Sequence, residues 1–100
     1  TMVNKNYIKG RNLEYLIKNK LEKRGFYVTR AAGSKGVDLI AIKRNKTGGG
    51  VRVLMVSCKT TGYVPPQERE ELSYLAKKYG AEPLFTRKDS GKWELVALST

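Results

Sequence analysis

Two residues of opposite charge, Asp38 and Lys59, lie near the two ends of one aliphatic stretch, and Ser57 precedes the lysine by two positions. A carboxylate binds hard divalent cations through oxygen. A lysine ammonium stabilises negative charge that develops on a phosphate. Held side by side, these groups suit metal and phosphate chemistry, but they could also form an ordinary cross-strand ion pair.

The stretch that contains them has the pattern of a β-hairpin. The runs 36–44 and 51–59 are rich in aliphatic and β-branched residues, and the loop between them ends in three consecutive glycines. If the residues next to the loop pair, the constant antiparallel register places Asp38 opposite Ser57. Side chains alternate along a strand, so Ser57 and Lys59 share a face. The position of Ser57 is expected at the solvated end of its strand.

A second acid, Glu14, lies on a predicted helix over 9–24 that ends at Gly25. Glu14 lies at the edge of the apolar stripe of this helix, because Leu21 of the stripe follows it by seven residues, or about two turns. Its carboxylate is either aimed into a cleft at the end of the sheet or is a solvated flank group paired with Lys18, four residues on. The stripe has helical spacing and consists of Leu13, Leu16, Ile17 and Leu21.

The segment 31–36, Ala-Ala-Gly-Ser-Lys-Gly, joins the first strand to the hairpin. Its small residues allow a backbone or a phosphate to approach closely, and Arg30 and Lys35 place positive charge beside it. The alternative is a plain connection.

The charge balance favours a polyanionic partner. Lys and Arg number 20 against 9 Asp and Glu, a net charge of +11, which indicates nucleic acid before an anionic membrane. One cysteine and no histidine exclude an internal disulfide, a Cys/His zinc site and a Ser-His-Asp triad. A metal here must be held by oxygen, so Mg²⁺ or Mn²⁺ is expected.

The chain shows no apolar run of membrane-spanning length and no pattern of a signal peptide, so a cytoplasmic location is expected. Thr1 before Met2 is typical of a residue added for expression. We expect residues 1–8 to form a flexible arm and residues 9–100 to form a single domain.

The remaining patterns predict a mixed α/β fold in the order α-β-β-β-α-β-β. A second helix begins near Pro66 and ends before Gly80, with acids in its first turns and lysines in its last. Its expected buried face consists of Leu72, Leu75, Ala76 and Tyr79. The other expected strands are 26–30, 83–86 and 93–98.

Four segments, 10–14, 21–26, 30–41 and 56–59, together resemble the archaeal Holliday-junction resolvases, which belong to the restriction-endonuclease-like, or PD-(D/E)XK, nuclease group. The likeness covers most of the chain. The resemblance implies a restriction-endonuclease-like core with a central mixed sheet flanked by helices.

The resemblance also implies roles for individual residues. Asp38 would be the main metal ligand, Glu14 would help hold or position the metal from the helix, and the backbone carbonyl of Cys58 would complete part of the shell. Lys59 would orient the attacking water or stabilise charge on the phosphate. The residues implied in DNA contact are Arg11, Arg30, Ser34, Lys35, Lys59 and Tyr63.

The sequence departs from the family pattern at Ser57, where the family has an acid two residues before the lysine. Ser57 is included among the implied catalytic positions, but a neutral hydroxyl competes poorly with water for a metal. We therefore expect weakened metal binding without loss of the fold. Ser57 is either the natural residue or a replacement of the acid.

The resulting expectation is a metal-dependent, structure-selective DNA endonuclease that cuts four-way junctions symmetrically as a homodimer. The second helix and the last strands would supply the dimer surface, with Tyr74, Phe85 and Trp93 as candidates. Three alternatives remain open. They are a non-catalytic DNA-binding member of the same fold, a same-fold nuclease with another DNA substrate, and a basic RNA-binding protein of unrelated fold.

Overall fold

The computed structural model describes residues 5–31 and 36–98, with side chains from Gly10 onward. Its two helices and five strands confirm the predicted order and the mixed α/β class. They are α1 (Lys5–Lys23), β1 (Tyr27–Arg30), β2 (Leu39–Arg44), β3 (Val51–Ser57), α2 (Pro66–Lys78), β4 (Glu82–Asp89) and β5 (Lys92–Ala97).

Three boundaries differ from the sequence-based expectation by three or more residues. Helix α1 begins at Lys5, so residues 5–8, expected in a flexible arm, are helical. Strand β2 begins at Leu39 instead of residue 36. Strand β4 reaches Asp89, because it pairs along its length with β5 across a tight turn whose two residues have positive φ.

The strands form one sheet in the order β1-β2-β3-β4-β5. The pairs β1–β2, β2–β3 and β4–β5 are antiparallel, whereas β3 and β4 are parallel. A parallel pair needs a crossover connection, and α2 lies in the one between β3 and β4.

The β2–β3 ladder has the register that the loop predicts. Arg44 pairs with Val51, and the same register continues to the pair of Leu39 with Val56. The ladder departs from this register at Asp38, whose backbone N–H donates to the carbonyl of Val56 at 2.8 Å. The regular ladder thus ends one step before Asp38 and Ser57.

The two helices cover opposite faces of the sheet. Leu13, Ile17 and Leu21 of α1 pack on a cluster that includes Leu39 and Val56. Leu72 and Ala76 of α2 pack against Met55 and Val37, with Ile40 beside them. Residues 39 and 40 point to different faces, as do 55 and 56, because side chains alternate along a strand. Neither helix of the described part of the chain is long and apolar enough to cross a membrane.

Two residues expected on buried helix faces are exposed. Leu16 is 40% exposed and Tyr79 is 63% exposed. Leu16 lies at the edge of the α1 stripe, where it lines an open depression with Trp93. Tyr79 follows the last helical residue of α2, and the ammonium of Lys78 lies over its ring, 5.7 Å from the centroid.

Candidate active site

Asp38 lies at the point where β2 begins, beside the end of β3. Its Oδ2 accepts a hydrogen bond from the backbone N–H of Cys58 at 2.7 Å. Burial raises the pKa of the Asp38 carboxyl above its ordinary value. The charge of Glu14 also raises this pKa, whereas the Cys58 N–H, Lys59 and Arg30 lower it. Residues from separate elements therefore act on one carboxylate at this end of the sheet.

Glu14 comes to this end of the sheet from α1. Its Oε1 lies 2.8 Å from Nε of Arg30, the last residue of β1, and its side chain is 17% exposed. Glu14 is thus ion-paired with Arg30 and not with Lys18, the partner that helical spacing offers. Arg30, implied in DNA contact, is also the residue that fixes the Glu14 carboxylate.

Lys59 follows the end of β3, and both its backbone and its side chain are held. Its backbone N–H donates to Oγ1 of the buried Thr86 at 2.9 Å. Its Nζ lies 3.1 Å from Oε2 and 3.4 Å from Oε1 of Glu68 in α2. Lys59 therefore points to the α2 side of the sheet, which is also the face of Met55 and Ser57.

Ser57 is the last residue of β3 and is only 2% exposed. The expectation of a solvated position is wrong, because β4 continues the sheet here and pairs Phe85 with Ser57. Cys58 points to the opposite face from Ser57, because side chains alternate along a strand, and it packs against the core under α1. Burial raises the pKa of its thiol, so the side chain is an apolar neutral group.

The implied DNA contacts are only partly within the described residues. Arg11 is exposed on α1, and its Cζ lies 5.7 Å from the ring centroid of Tyr15. A hydrogen bond from Arg11 lowers the pKa of Tyr15. Tyr63 is 58% exposed, and the guanidinium of Arg69 lies over its ring. Ser34 and Lys35 lie outside the described residues.

Sequence reasoning missed Glu68 and Thr86, the two residues that fix Lys59. Glu68 lies in the first turn of α2, where an acid stabilises the positive end of the helix dipole. This role explains the residue without any contact to Lys59. Thr86 meets Lys59 only because β4 lies parallel to β3, a pairing between distant segments that no local pattern records.

The oxygen donors at this site fit a hard divalent cation, but with Ser57 at position 57 they carry one negative charge fewer than the family pattern. Asp38 and Glu14 offer carboxylate oxygens, the ligands that Mg²⁺ and Mn²⁺ prefer. The mutual repulsion that raises the pKa of Asp38 would be relieved by a cation between them. Within 5–31 and 36–98, no group of three or more acidic, cysteine or histidine side chains is placed to hold a metal.

Comparison with known proteins identifies the family to which this geometry belongs. A family model described as archaeal Holliday junction resolvase (Hjc) matches residues 5–100. The chain belongs to this family. The resemblance read from the sequence is therefore confirmed, and the mixed sheet flanked by two helices agrees with the fold that this resemblance implies.

Individual relatives agree with the family model. The crossover junction endodeoxyribonuclease Hjc of Methanocaldococcus jannaschii is 38% identical over 90 residues, which cover 86% of this chain and 63% of the relative. The chain thus spans 63% of the length of that curated relative. The 1.6 Å structure of Archaeoglobus fulgidus Hjc, a Holliday junction resolvase from an archaeal hyperthermophile, matches with a TM-score of 0.67 and 28% identity over 89% of this chain and 72% of that chain.

The contact between Lys59 and Glu68 leads to a prediction for this resolvase-family chain. Glu68→Gln keeps an amide beside Lys59 but removes the opposing charge. We expect tighter DNA binding, because a negative charge beside Lys59 is lost, and slower cleavage at saturating DNA, because the ammonium is less well fixed. Misplacement of a reacting group costs up to about 100-fold in rate.

Binding and single-turnover cleavage of a four-way junction check this expectation. Glu71→Gln, an exposed acid on the same helix, is the matched control and should change neither quantity by much. Both side chains of the Lys59–Glu68 pair are more than a third exposed, so thermal stability should change by less than about 1 kcal/mol. Cleavage as fast as wild type would show that Glu68 does not position Lys59.

Proposed function

We propose that this protein is a metal-dependent, structure-selective DNA endonuclease that cuts Holliday junctions in recombination and repair. The observation that carries the proposal is the meeting of Glu14, Asp38 and Lys59 at one end of the sheet. These residues come from α1, the start of β2 and the end of β3, in a chain of the archaeal resolvase family.

Asp38 and Glu14 would hold a divalent metal, Mg²⁺ or Mn²⁺, with the backbone carbonyl of Cys58 as a further oxygen donor. When bound, the metal lowers the pKa of a water molecule and neutralises charge on the phosphate. The Cys58 N–H fixes one carboxylate oxygen of Asp38. Arg30 fixes the carboxylate of Glu14, so both acids are oriented before a ligand arrives.

Lys59 supplies the second positive charge of the site. Its ammonium is placed by Glu68, and its backbone is anchored by Thr86. An ammonium near the scissile phosphate orients the attacking water or stabilises the negative charge that develops in the transition state. The side chain is only partly buried, so it can reach a phosphate that approaches from solvent.

DNA binding rests on phosphate contacts. The net charge of +11 on an 11.2 kDa chain provides affinity that does not depend on base sequence. A junction is recognised by its shape, which requires many backbone contacts and few base contacts. We propose that the exposed side chains of Arg11 and Tyr63 contact the DNA, and that Ser34 and Lys35 contribute from the segment before Asp38.

The function is tested by comparing a four-way junction with a linear duplex of the same sequence, in Mg²⁺, in Mn²⁺ and in chelator. We expect preferential binding of the junction and cleavage only with metal, faster in Mn²⁺ if Ser57 weakens the site. Equal cleavage of both substrates would favour a nuclease with another DNA substrate. Junction binding without cleavage would favour a non-catalytic member of the family, the second candidate that the small number of carboxylates supports.

Symmetric cleavage requires two sites, so we propose a two-fold dimer. An open groove of about 660 Å³ lies between α2 and the last two strands, and its lining includes Pro66, Ser73, Phe85, Val96 and Leu98. Trp93 packs against the core under α1, on the other side of the sheet from Phe85. Phe85 thus belongs to the proposed dimer surface and Trp93 does not, while the exposed Tyr74 of α2 can extend it.

A charge placed in this groove should break the dimer. We expect Val96→Asp to shift the protein to monomer in analytical ultracentrifugation, because an interface formed here would remove the new carboxylate from water. Val51→Asp is the control, since Val51 is a 58% exposed valine at the start of β3. A Val96→Asp protein that remains dimeric would place the interface elsewhere.

A further inference from the structure

The end of the hairpin opposite the candidate active site carries a shallow depression lined by cationic residues. Its volume is about 340 Å³, and its lining consists of Lys43, Arg44, Asn45, Lys46 and Arg52. Four of these five side chains are cations and the fifth is an amide, with no acid among them. The side chains that line this concave surface offer hydrogen-bond donors and positive charge, and their one acceptor is the amide oxygen of Asn45.

Two of the four cations are held in place by polar contacts and by the ring of Phe26. Lys43 donates from Nζ to the carbonyl of Arg24 at 2.6 Å and lies over the ring of Phe26, 5.3 Å from the centroid. Arg52 lies over the same ring and forms a bidentate ion pair with Glu82 at 2.9 and 3.1 Å. These contacts fix the wall of the depression before any ligand binds.

The other two cations, Arg44 and Lys46, are exposed and form no ion pair among the described residues. They flank Asn45, whose backbone N–H donates to Gly50 and whose side-chain amide donates to Gly49. The glycines 48–50 all have φ between +72° and +79°, a conformation that glycine adopts without strain. The loop therefore folds back on itself and keeps both cations at the mouth of the depression.

From this arrangement we infer that the depression is a second site for a DNA backbone phosphate, remote from the phosphate that is cut. The inference rests on the proposed function, since it assigns this surface to an arm of the same DNA substrate. Asp38 and Arg44, at the two ends of strand β2, are six residues apart, or about 20 Å at 3.3 Å per residue. This distance corresponds to about six base pairs of duplex at 3.4 Å each.

A phosphodiester is the ligand that this chemistry favours. Clustered cations repel one another, and an anion placed among them relieves that repulsion. The guanidinium of Arg44, which forms no ion pair among the described residues, matches the geometry of phosphate oxygens. A contact about six base pairs from the cut would fix the direction of a duplex arm relative to the active site, which a single contact at the cleavage point cannot do.

The test removes the two exposed cations together, in the variant Arg44→Ala with Lys46→Ala. We measure the affinity of a labelled four-way junction over a range of salt concentrations. The slope of log affinity against log salt should become shallower by about 1 to 2, as expected for losing one or two phosphate contacts. The matched control is Lys77→Ala with Lys78→Ala, which removes the same charge from α2 on the other face of the sheet.

A second measurement uses the unaltered protein and maps the contact on the DNA. Junctions are made with neutral methylphosphonate linkages about five to seven base pairs from the phosphate that is cut, a range centred on the expected distance of about six base pairs. Wild-type protein should bind this DNA more weakly than an unmodified junction. The Arg44→Ala/Lys46→Ala variant should bind the two DNAs almost equally, because the substitutions and the neutral linkages remove the same contact.

Equal shallowing of the salt slope in both double variants would overturn the inference, because the effect would then come from general surface charge. Additive losses from the protein variant and the neutral linkages would overturn it as well. The proposed function is judged separately, by the preference of the wild-type protein for a junction over a linear duplex and by metal-dependent cleavage. If that preference is absent, the salt slopes of the two double variants on a linear duplex still decide whether the depression binds phosphate.

Discussion

Asp38→Asn should abolish cleavage and leave junction binding intact or tighter. The amide can still accept the hydrogen bond from the Cys58 N–H, so the local geometry is retained. The negative charge that would hold the metal is lost, and a charge that repels phosphate is lost with it. We expect the cleavage rate to fall by on the order of 10³-fold or more, the scale for losing a group that acts on charge in the transition state.

Burial raises the pKa of Asp38, which means that the charged carboxylate is disfavoured in the folded protein. The free energy of unfolding at neutral pH should therefore stay the same or rise in Asp38→Asn. Single-turnover cleavage, junction binding and thermal unfolding check the three expectations. Asp89→Asn, an exposed acid at the end of β4, is the matched control, and normal cleavage by Asp38→Asn would refute the site assignment.

Ser57→Glu should tighten metal binding and accelerate cleavage. The position is next to Cys58, whose N–H contacts Asp38, and it shares a strand face with Lys59. One charge about 4 Å from another is worth roughly 4 kcal/mol at an effective dielectric of 20, and a divalent ion doubles this. Desolvation removes much of the gain at a residue that is 2% exposed. We expect a net gain of about 10-fold to 100-fold in metal affinity.

The burial of Ser57 adds an expectation about stability. Without metal, Ser57→Glu should lower the free energy of unfolding, because a carboxylate is forced into a buried position beside Asp38. Added Mg²⁺ or Mn²⁺ should restore much of this loss by binding only the folded state. Ser57→Gln is the control, since it has the same size without the charge. Equal metal affinity in the Glu and Gln variants would show that residue 57 does not face the site.

Much of the fold follows from local patterns in the sequence. The register of the β2–β3 hairpin depends on one loop between two aliphatic runs, and it places Asp38, Ser57 and Lys59 at the same end of the sheet. Helix α2 is marked at both ends, by Pro66 and by Gly80. These features depend on contacts between residues that are close in the chain, which is why a pattern can record them.

The parts that the sequence did not reveal depend on packing between distant elements. Ser57 is buried because β4 pairs beside it, and that parallel pairing also brings Thr86 to Lys59. The choice of Arg30 as the partner of Glu14 depends on how α1 lies across β1. Each of these contacts joins segments more than ten residues apart, whereas hydrophobic periodicity describes one element at a time.

The role of Asp38 is tested most directly by a Mn²⁺ titration in which metal binding and junction cleavage are followed on the same samples of wild type and Asp38→Asn. We expect wild-type protein to bind Mn²⁺ weakly and to cleave the junction in proportion to the bound metal. We expect Asp38→Asn to lose both while still binding DNA. Unchanged Mn²⁺ binding by Asp38→Asn, or cleavage that does not follow metal occupancy, would show that Asp38 does not hold the metal that cuts DNA.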